Sequence, residues 1–575
     1  MKPPKKIPYG QCDFEKIRKK NYIYVDKTRF IEQIENENNS YHFLIRPRKF
    51  GKSLFLSVLK HYYDVCYKDD FETLFGDLYI GKNPTPKRNS LWVIRFSFSG
   101  LDTNSKEKFE ESFTSAIRGS IDFFLVNHKS LLDNYKEREK ELWQLKNVRA
   151  YIEFAFKIID GFGSKAYIII DEYDHFANDL IAMGTNLGLE QYQQLIWANG
   201  VVRDFYETLK DNTNKIIDTV FITGVTPMML DDVTSGFNIS NNLSKEVRYN
   251  EILGFTDEEV EFLIGESGIV REKIPIDRHF LYNGYLFHKN ANNKLYNSAM
   301  ILYLLDKMQV SGGEIEDIID LNLKTDYSRI EMLLNKPDNI DKLEKIIEFG
   351  QYEAEVISRF SIKKIHEPQN FLSLLYYLGL VTIDKDRESG ATLLKIPNYS
   401  VKTMYWEYME NIIKENNPQL AFSPDVIYKD VVNMAIYDDY MPFFASFHKN
   451  FISQISNQDL ENFSEKNIKF FLLSILFQTS YYLPISELEN SKGYSDIYMQ
   501  ARKYLYPKIK NDWVIELKYI KQSKSKIKKL IETKKQEAIE QLKRYKTSNM
   551  FKDRTDVRYL AVVFIGKKNY WISES

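Results

Sequence analysis

The chain has 575 residues, with 79 Lys and Arg against 80 Asp and Glu, 43% hydrophobic residues and 28% charged ones. That length allows three to four domains at about 150 residues each, and the composition is that of a globular chain, which excludes both a disordered protein and a uniformly basic one. Two cysteines, Cys12 and Cys66, exclude a disulfide framework and a cysteine-rich zinc site. The basic start MKPPKKIPYG lacks the apolar run of a signal peptide, and no apolar stretch is long enough to span a bilayer, so a soluble, cytoplasmic chain with no membrane partner is expected.

In the first half, the apolar runs HFLI (42–45), VIRFSF (93–98), YIII (167–170) and TVFITG (219–224) read as strands. Amphipathic stretches such as SLFLSVLKHYYDV (53–65) and VRAYIEFAFKIIDGF (148–162) lie between them. Alternating strands and helices predict an α/β fold with a parallel sheet covered on both faces.

The first strand leads into RPRKFGKS (46–53). A glycine–lysine–serine run that opens a helix after a strand is the context a phosphate-binding loop needs. Gly51 lets backbone N–H groups approach phosphate, Lys52 reaches the β- and γ-phosphates, and Ser53 offers a hydroxyl to Mg2+. The usual loop has Gly where this one has Arg46. Taken bare, the run could also be a surface turn capping an ordinary helix. The strand AYIII ends in Asp171 and Glu172. Asp171 would hold Mg2+, and Glu172 would polarise the attacking water. Thr223, at the end of a further strand, would sit beside the γ-phosphate if that strand lies between the other two; otherwise it is a plain strand-end hydroxyl.

YGQCDF (9–14), YVDKT (24–28), RPRKFGKSL (46–54), IIIDEYD (168–174), FITGV (221–225) and LGFTDEEV (253–260) together resemble the AAA-ATPase-like family of bacterial proteins, over roughly residues 5–300. The resemblance implies an additional-strand P-loop NTPase core, with ATP and Mg2+ as cofactors. It implies a phosphate-binding loop of Arg46, Pro47, Arg48, Lys49, Phe50, Gly51, Lys52 and Ser53, completed by Asp171, Glu172 and Thr223. The family loop itself carries Arg at the position of Arg46. Asp26 and Lys27 match its DKT element, whose physical role is open; an N-cap turn before the next helix is the simple alternative.

After GFTDEEV the pattern is mostly helical to about 335, including LYNGYLF (281–287) and KLYNSAMILYLLDKM (294–308), which look like a lid. Residues 370–384 read as a helix breaking at Gly379 into a strand, then a turn, then the strand TLLKIPN (392–398). This resembles a winged helix, expected to serve packing rather than DNA binding.

At the C-terminal end, GYSDIYM (493–499) and DWVIELKYI (512–520) read as strands carrying Asp496, Glu516 and Lys518. The period of two puts Glu516 and Lys518 on one face. Two carboxylates and an ammonium are what a Mg2+-dependent phosphodiesterase needs, with Asp496 and Glu516 as metal ligands and Lys518 stabilising charge on the phosphorane. QLKRY (541–545) sets Gln541 and Tyr545 on one helix face. This D…ExK…QxxxY order resembles the PD-(D/E)xK nuclease superfamily, in which an upstream glutamate often completes the site. Glu465 is the best match, or else a glutamate favoured by a helix N-terminus. Residues 501–550 hold 15 Lys and Arg against 5 Asp and Glu, a footprint for a polyanion or a solvated lysine-rich helix whose apolar face carries Ile527, Leu530, Ile531, Ala538 and Leu542.

The expected organisation is an ATPase core (1–250), a helical lid (251–335), a winged-helix-like segment (336–425) and a nuclease-like α/β domain (426–575). The expected function is a P-loop ATPase coupled to a Mg2+-dependent nuclease-like domain. Nucleic acid such as DNA would bind through 501–550, with room for a homo-oligomer. The alternative is a nucleotide-dependent switch or interaction protein whose nuclease fold binds but does not cut.

Overall fold

In the computed structural model, the described residues are 4–176, 200–213, 215–227, 241–271, 278–311, 339, 342–343, 345–347, 351–358, 368–384, 392–416, 424–454, 464–479, 481–503, 505–521 and 527–575. The chain divides into two compact units, Met1–Gly313 with Ile319–Val401, and Lys402–Ser575 with Glu314–Ile318. The division falls within the helix Tyr399–Asn416, upstream of residue 426, where the sequence reading starts its last domain.

The first unit is built on strands β1 (Tyr41–Ile45), β2 (Trp92–Ser97), β3 (Ala166–Asp171), β4 (Ile217–Gly224) and the two-residue β5 (Asn241–Asn242), in the order β2-β3-β4-β1-β5. Every pairing is parallel. All six residues of β3 are buried, as expected of a central strand covered on both faces. Helices α1 (Lys52–Tyr63), α2 (Lys106–Asn127), α3 (Val148–Gly161) and α4 (Val201–Asp211) connect the strands. Helix α3 buries Val148, Tyr151, Ile152, Ala155, Ile158 and Ile159 among others, the stripe of an amphipathic helix. Strand β4 lies between β1 and β3, so the phosphate-loop strand and the acidic strand are not neighbours. This is the additional-strand arrangement the resemblance implies.

Helices α5 (Asp257–Ser267) and α6 (Ser298–Ser311) follow. Of the two stretches read as helical, 281–287 is helical only to Tyr282 and 294–308 only from Ser298, with extended backbone between. Tyr285 and Leu295 exchange backbone hydrogen bonds, as do Phe255 and Tyr296, so α6 starts only at Ser298. Helix α7 (Pro368–Tyr377) precedes strands β7 (Thr382–Asp384) and β8 (Leu393–Lys395), and β8 pairs with both β7 and a third strand, β6 (Gln351–Glu353). The helix-then-hairpin pattern of the sequence is present, and β6 is an addition to it. Residues 272–277 and 312–335 of the expected lid and 385–391 of the expected turn lie outside the described residues.

In the second unit, helix α8 (Glu465–Gln478) leads to β9 (Tyr482–Asn490), β10 (Gly493–Ala501), β11 (Asp512–Ile520), helix α9 (Ile527–Lys546), β12 (Val557–Ile565) and β13 (Asn569–Glu574). The sheet order is β13-β12-β11-β10-β9. Only β11 and β12 pair in parallel, with α9 as the crossover between them.

Gly224, at the end of β4, shows how tightly the sheet's ligand edge is closed. A Cβ there would lie 2.3 Å from the Tyr173 ring and 2.6 Å from Asp174 Oδ1. Tyr173 donates to the Thr226 carbonyl, and Asp174 accepts from the Val225 and Thr226 amides, at 2.6–3.2 Å. Neither side chain has room to yield. Gly224→Ala is expected to cost about 1–3 kcal/mol of stability. Urea unfolding followed by circular dichroism checks this, and an unchanged midpoint would remove the close-packing account.

Candidate functional site

The loop between β1 and α1 is held open by its own carbonyls. The Arg48 carbonyl accepts from Asn297 Nδ2 at 3.3 Å, Lys49 from the Ala299 amide at 3.1 Å, and Phe50 from Ser298 Oγ at 3.1 Å and the Gly254 amide at 3.3 Å. A trans peptide sets N–H opposite C=O, so the amides of Lys49, Phe50 and Gly51 are turned away from these donors. Lys49 has φ +66° and Gly51 +97°; the left-handed conformation suits glycine at the N-cap of α1.

Lys52 is buried, and its Nζ donates to the carbonyls of Arg46 (2.8 Å) and Pro47 (2.9 Å). Burial pulls its pKa down to about 8, against the raising effect of Asp174, Asp171 and Glu172. Arg48, Lys49, Phe50, Gly51, Lys52, Ser53, Glu172 and His175 line a cavity of about 520 Å³. Tyr9–Cys12, Lys27 and Ile252–Phe255 close it, so the YGQCDF and LGFT segments meet the loop. The volume is within the ~300–1,000 Å³ usual for small-molecule sites.

Asp171, at the tip of β3, is buried, with Oδ1 accepting from Thr223 Oγ1 at 2.9 Å and Oδ2 paired with Arg95 Nη2 at 2.8 Å. Thr223 therefore meets Asp171 from the intervening strand. Glu172 is half-exposed, has φ +52° and lies 3.4 Å from His175 Nδ1. That backbone conformation is costly for a non-glycine residue and concentrates at functional positions.

Two loop residues face elsewhere than expected. The Arg46 guanidinium points into the protein and donates to the carbonyls of Ile45, Ser244 and Tyr249 at 2.7–3.0 Å, 4.1 Å above the Phe287 ring. Pro47 packs on Gly379. Neither lines the cavity. The Arg46 and Pro47 side chains shape the loop from beneath, while residues 48–53 line the cavity.

The DKT element is a stitch. Asp26 accepts from Thr28 N and Oγ1 and from the Tyr79 amide at 2.6–2.8 Å. Lys27 donates to the Glu251 carbonyl (2.9 Å) and to Glu259 (2.7 Å). Glu259 is also the N3 partner of Thr256 in the capping box of α5. The motif thereby fixes the N-terminal segment to the cavity wall.

In the second unit, β10 and β11 pair Ile497 with Ile515. One step further along that register, Asp496 and Glu516 come to the same edge. Lys518 Nζ lies 2.7 Å from Glu516 Oε1 and 3.8 Å from both Asp496 Oδ2 and Glu465 Oε1. Glu465, first residue of α8, accepts from the Tyr519 amide at 3.0 Å, and Asp496 from the Leu517 amide at 2.9 Å. Its aim at β11 favours the site reading of Glu465 over the helix-dipole one. Tyr545 donates to Glu516 Oε2 at 3.3 Å. One turn before it, Gln541 keeps a buried Oε1 with no hydrogen-bond partner.

Burial pushes the Glu516 carboxyl up to about 8, with Asp496 adding to the rise and Lys518 opposing it. Burial likewise raises Glu465. Lys518 is lowered by burial but raised more by Glu516 and Asp496, and ends above its ordinary value. The donors are hard oxygens, and the orphaned Gln541 oxygen adds a further one. This set fits a divalent ion of the Mg2+ class. At the first site, the Ser53 hydroxyl and Asp171 carboxylate are oxygen donors of the same kind.

Residues 8–234 match the family described as Predicted AAA-ATPase, and residues 463–574 the PD-(D/E)XK nuclease superfamily. The chain joins an AAA-ATPase-like domain to a PD-(D/E)XK nuclease superfamily domain. An uncharacterized protein in the vnfD 5′ region of Azotobacter chroococcum mcd 1 is 26% identical over 404 residues, 69% of this chain and 68% of that protein. Among solved structures, a Walker-type ATPase of Pyrococcus abyssi is 14% identical, with TM-score 0.38 over 70% of this chain and 99% of its own. The ORC2 protein of Aeropyrum pernix is 11% identical, with TM-score 0.33 over 70% and 98%.

In the AAA-ATPase-like domain, sequence reasoning missed Arg95, Asp174 and His175. A lone arginine inside the apolar run VIRFSF was the signal for the first, and the DEYDH spacing for the other two. In the nuclease-superfamily domain, α9 buries Ala538, Leu542 and Tyr545, but Leu530 of its expected apolar face is 43% exposed. Lys528, Lys529 and Lys543 are exposed, whereas Lys534 and Lys535 pair with Glu537 and Glu532. Lys524 lies outside the described residues.

The raised Glu516 has a consequence for stability. Its folded pKa of about 8 exceeds the ordinary value of 4.5. The native state therefore holds the proton longer, and stability is lost as pH rises from 4.5 through 8. In EDTA, the nuclease-superfamily domain should melt at a lower temperature at pH 8 than at pH 5.5. Glu516→Gln should flatten this dependence; an equally steep profile in that variant would exclude Glu516 as its source.

Proposed function

We propose that the chain hydrolyses ATP at the loop of residues 48–53 and couples this to a Mg2+-dependent nuclease-like centre acting on nucleic acid. For the ATPase, the carrying observation is Lys52 at the wall of the cavity beside Ser53, with Asp171 and Thr223 joined at the neighbouring strand ends. The triphosphate would draw the Lys52 ammonium off the Arg46 and Pro47 carbonyls and take the outward amides of 49–51. Ser53 and Asp171 would hold the divalent ion, which neutralises phosphate charge. Glu172 would orient water and take its proton as the water oxygen bonds to the γ-phosphorus and the bond to the bridging oxygen of ADP breaks.

Lys52→Ala should weaken ATP binding about 10–100-fold, the scale of a lost charge-assisted hydrogen bond. Glu172→Gln should bind normally but turn over about 10²–10⁴-fold more slowly. The phosphates favour the ammonium, so the bound Lys52 has the higher pKa. Affinity should therefore be flat below pH 8 and fall above it, by up to about tenfold per unit. Calorimetry with ATP at pH 7 and pH 9 reads both; unchanged affinity in folded Lys52→Ala protein would refute the assignment.

For the second centre, support comes from Lys518 Nζ lying 2.7 Å from Glu516 and 3.8 Å from both Asp496 and Glu465. Asp496 and Glu516, with Glu465 and Gln541 beside them, would hold a divalent ion, which supplies hydroxide and stabilises the leaving oxygen. Lys518 stays protonated beside them, placed for the charge that grows on phosphorus. Lys528, Lys529 and Lys543 are among the exposed cations that would meet a phosphate backbone. With Mn2+, the protein should nick DNA or RNA, and Asp496→Ala should abolish nicking without changing ATP affinity. Reversing Lys528, Lys529 and Lys543 should flatten the slope of log affinity against log salt by up to about three contacts of ~0.9 each. Nucleic-acid binding with no cleavage in any metal would leave the binding-only reading.

A further inference from the structure

The Asp171 carboxylate is engaged from both sides. Its side chain is 4% exposed, and its oxygens are divided between Thr223 Oγ1 at 2.9 Å and Arg95 Nη2 at 2.8 Å. Arg95 comes from β2, which lies beside β3 with Ser97 opposite Asp171 and Arg95 opposite Ile169. Its guanidinium thus reaches two residues up the ladder to the strand tip. A carboxylate this deeply buried needs a cation or strong donors around it. Thr223 supplies one neutral donor, and Arg95 supplies the charge. The arginine side chain is itself 33% exposed, so it can turn toward water, which solvates the freed guanidinium.

We propose that Arg95 competes with the divalent ion for Asp171 and so sets how tightly the ATPase site holds its metal. The inference rests on the nucleotide reading of that site. A divalent ion and a guanidinium on the same carboxylate repel one another, so binding of the ion displaces Arg95. Part of the ion's attraction to Asp171 is spent in breaking the existing pair. Metal then binds weakly to the free protein and firmly only when nucleotide phosphates supply further oxygen ligands. Arg95 in this role is a positioning residue: it acts through Asp171 and touches neither substrate nor the reacting atoms.

The test measures metal binding rather than turnover. Wild-type, Arg95→Gln and Arg95→Lys proteins are saturated with a non-hydrolysable ATP analogue in EDTA-treated buffer, and Mn2+ is titrated by electron paramagnetic resonance. Arg95→Gln is expected to bind Mn2+ about tenfold more tightly, the scale of one charge-assisted contact. Arg95→Lys, still charged but without the planar fork, should fall between it and wild type. Analogue affinity measured without metal should be the same in all three. Mn2+ affinity unchanged or weaker in folded Arg95→Gln protein overturns the inference while leaving the ATP site intact. Wild-type protein that binds no analogue overturns the nucleotide reading and the inference with it. Should Arg95→Gln fail to fold, a crystal structure of the wild-type metal–analogue complex decides. Arg95 Nη2 and Asp171 Oδ2 separated beyond hydrogen-bond reach support the exchange, and a pair still at hydrogen-bond distance with the ion bound overturns it.

Discussion

A buried guanidinium underlies the nucleotide loop. Arg46 is 1% exposed, and it meets three backbone carbonyls and an aromatic face rather than a carboxylate. Burial lowers its pKa only to about 10, so it remains a cation in a site that carbonyl dipoles and the Phe287 quadrupole make hospitable. Those carbonyls belong to Ile45, Ser244 and Tyr249, from β1 and from the chain that follows β5. The interaction therefore ties the start of the loop to residues about 200 positions later in the sequence. Without a small residue there, the loop gains an anchor in place of flexibility. The Arg46 and Pro47 carbonyls are left facing Lys52, and their acceptance of its ammonium follows from that anchoring.

The remaining loop carbonyls are held by residues 254 and 297–299. Those same residues are positioned by the Phe255–Tyr296 exchange and by Phe50, whose ring meets Tyr285 and Phe287 edge-on. The phosphate loop is thus an inner layer of the domain rather than a surface turn. Its shape depends on α5, α6 and the segment between them, and Pro47 against Gly379 extends this dependence to the end of α7. A change of loop shape on binding anions would be felt along that whole packed series.

The parallel sheet was legible because buried parallel strands are continuous apolar runs. The four read from sequence lie within two residues of the observed ends, and the separation of the phosphate-loop strand from the acidic strand followed from the family resemblance. Glu516 and Lys518 were legible as one face because a period of two is geometry the backbone enforces, and Asp496 joined them through the D…ExK order. The direction of the Arg46 side chain was not, since nothing local distinguishes an arginine that faces phosphate from one that faces distant carbonyls. The helical pattern of 281–287 and 294–308 matches the structure only in part, for a related reason. Their residues find extended partners at Phe255 and between Tyr285 and Leu295, and Thr382 Oγ1 takes the Leu286 amide at 2.7 Å, a contact across 96 positions. The exposed Leu530 reflects the same limit. Periodicity marks a helix face but not how far along the helix its neighbour extends, and α9 is buried only from about Ala538 onward.

The two centres share an electrostatic solution. Asp171 is paired with Arg95 and Glu516 with Lys518, at 2.8 Å and 2.7 Å, and both carboxylates are almost wholly buried. They differ in what surrounds the pair. Asp171 has a hydroxyl on its second oxygen and a cation able to withdraw to water. Glu516 has Asp496 and Glu465 close by and an ammonium that is only 12% exposed, shared among all three acids. Lys518 and Lys469, the latter 3.9 Å from Asp496 Oδ1, set two cations against three carboxylates, and the negative charge left over, with burial, favours a proton on Glu516. A divalent ion would relieve it better, since two positive charges offset two carboxylates without the proton. Lys518 would then be released from neutralising Glu516 and remain beside the ion as the only protein cation among the side chains described at that edge with contacts to all three acids. In the first centre the protein's own cation must depart for a metal to arrive; in the second it has reason to stay. That contrast follows from the count of acids around each cation and from the depth at which each cation is buried.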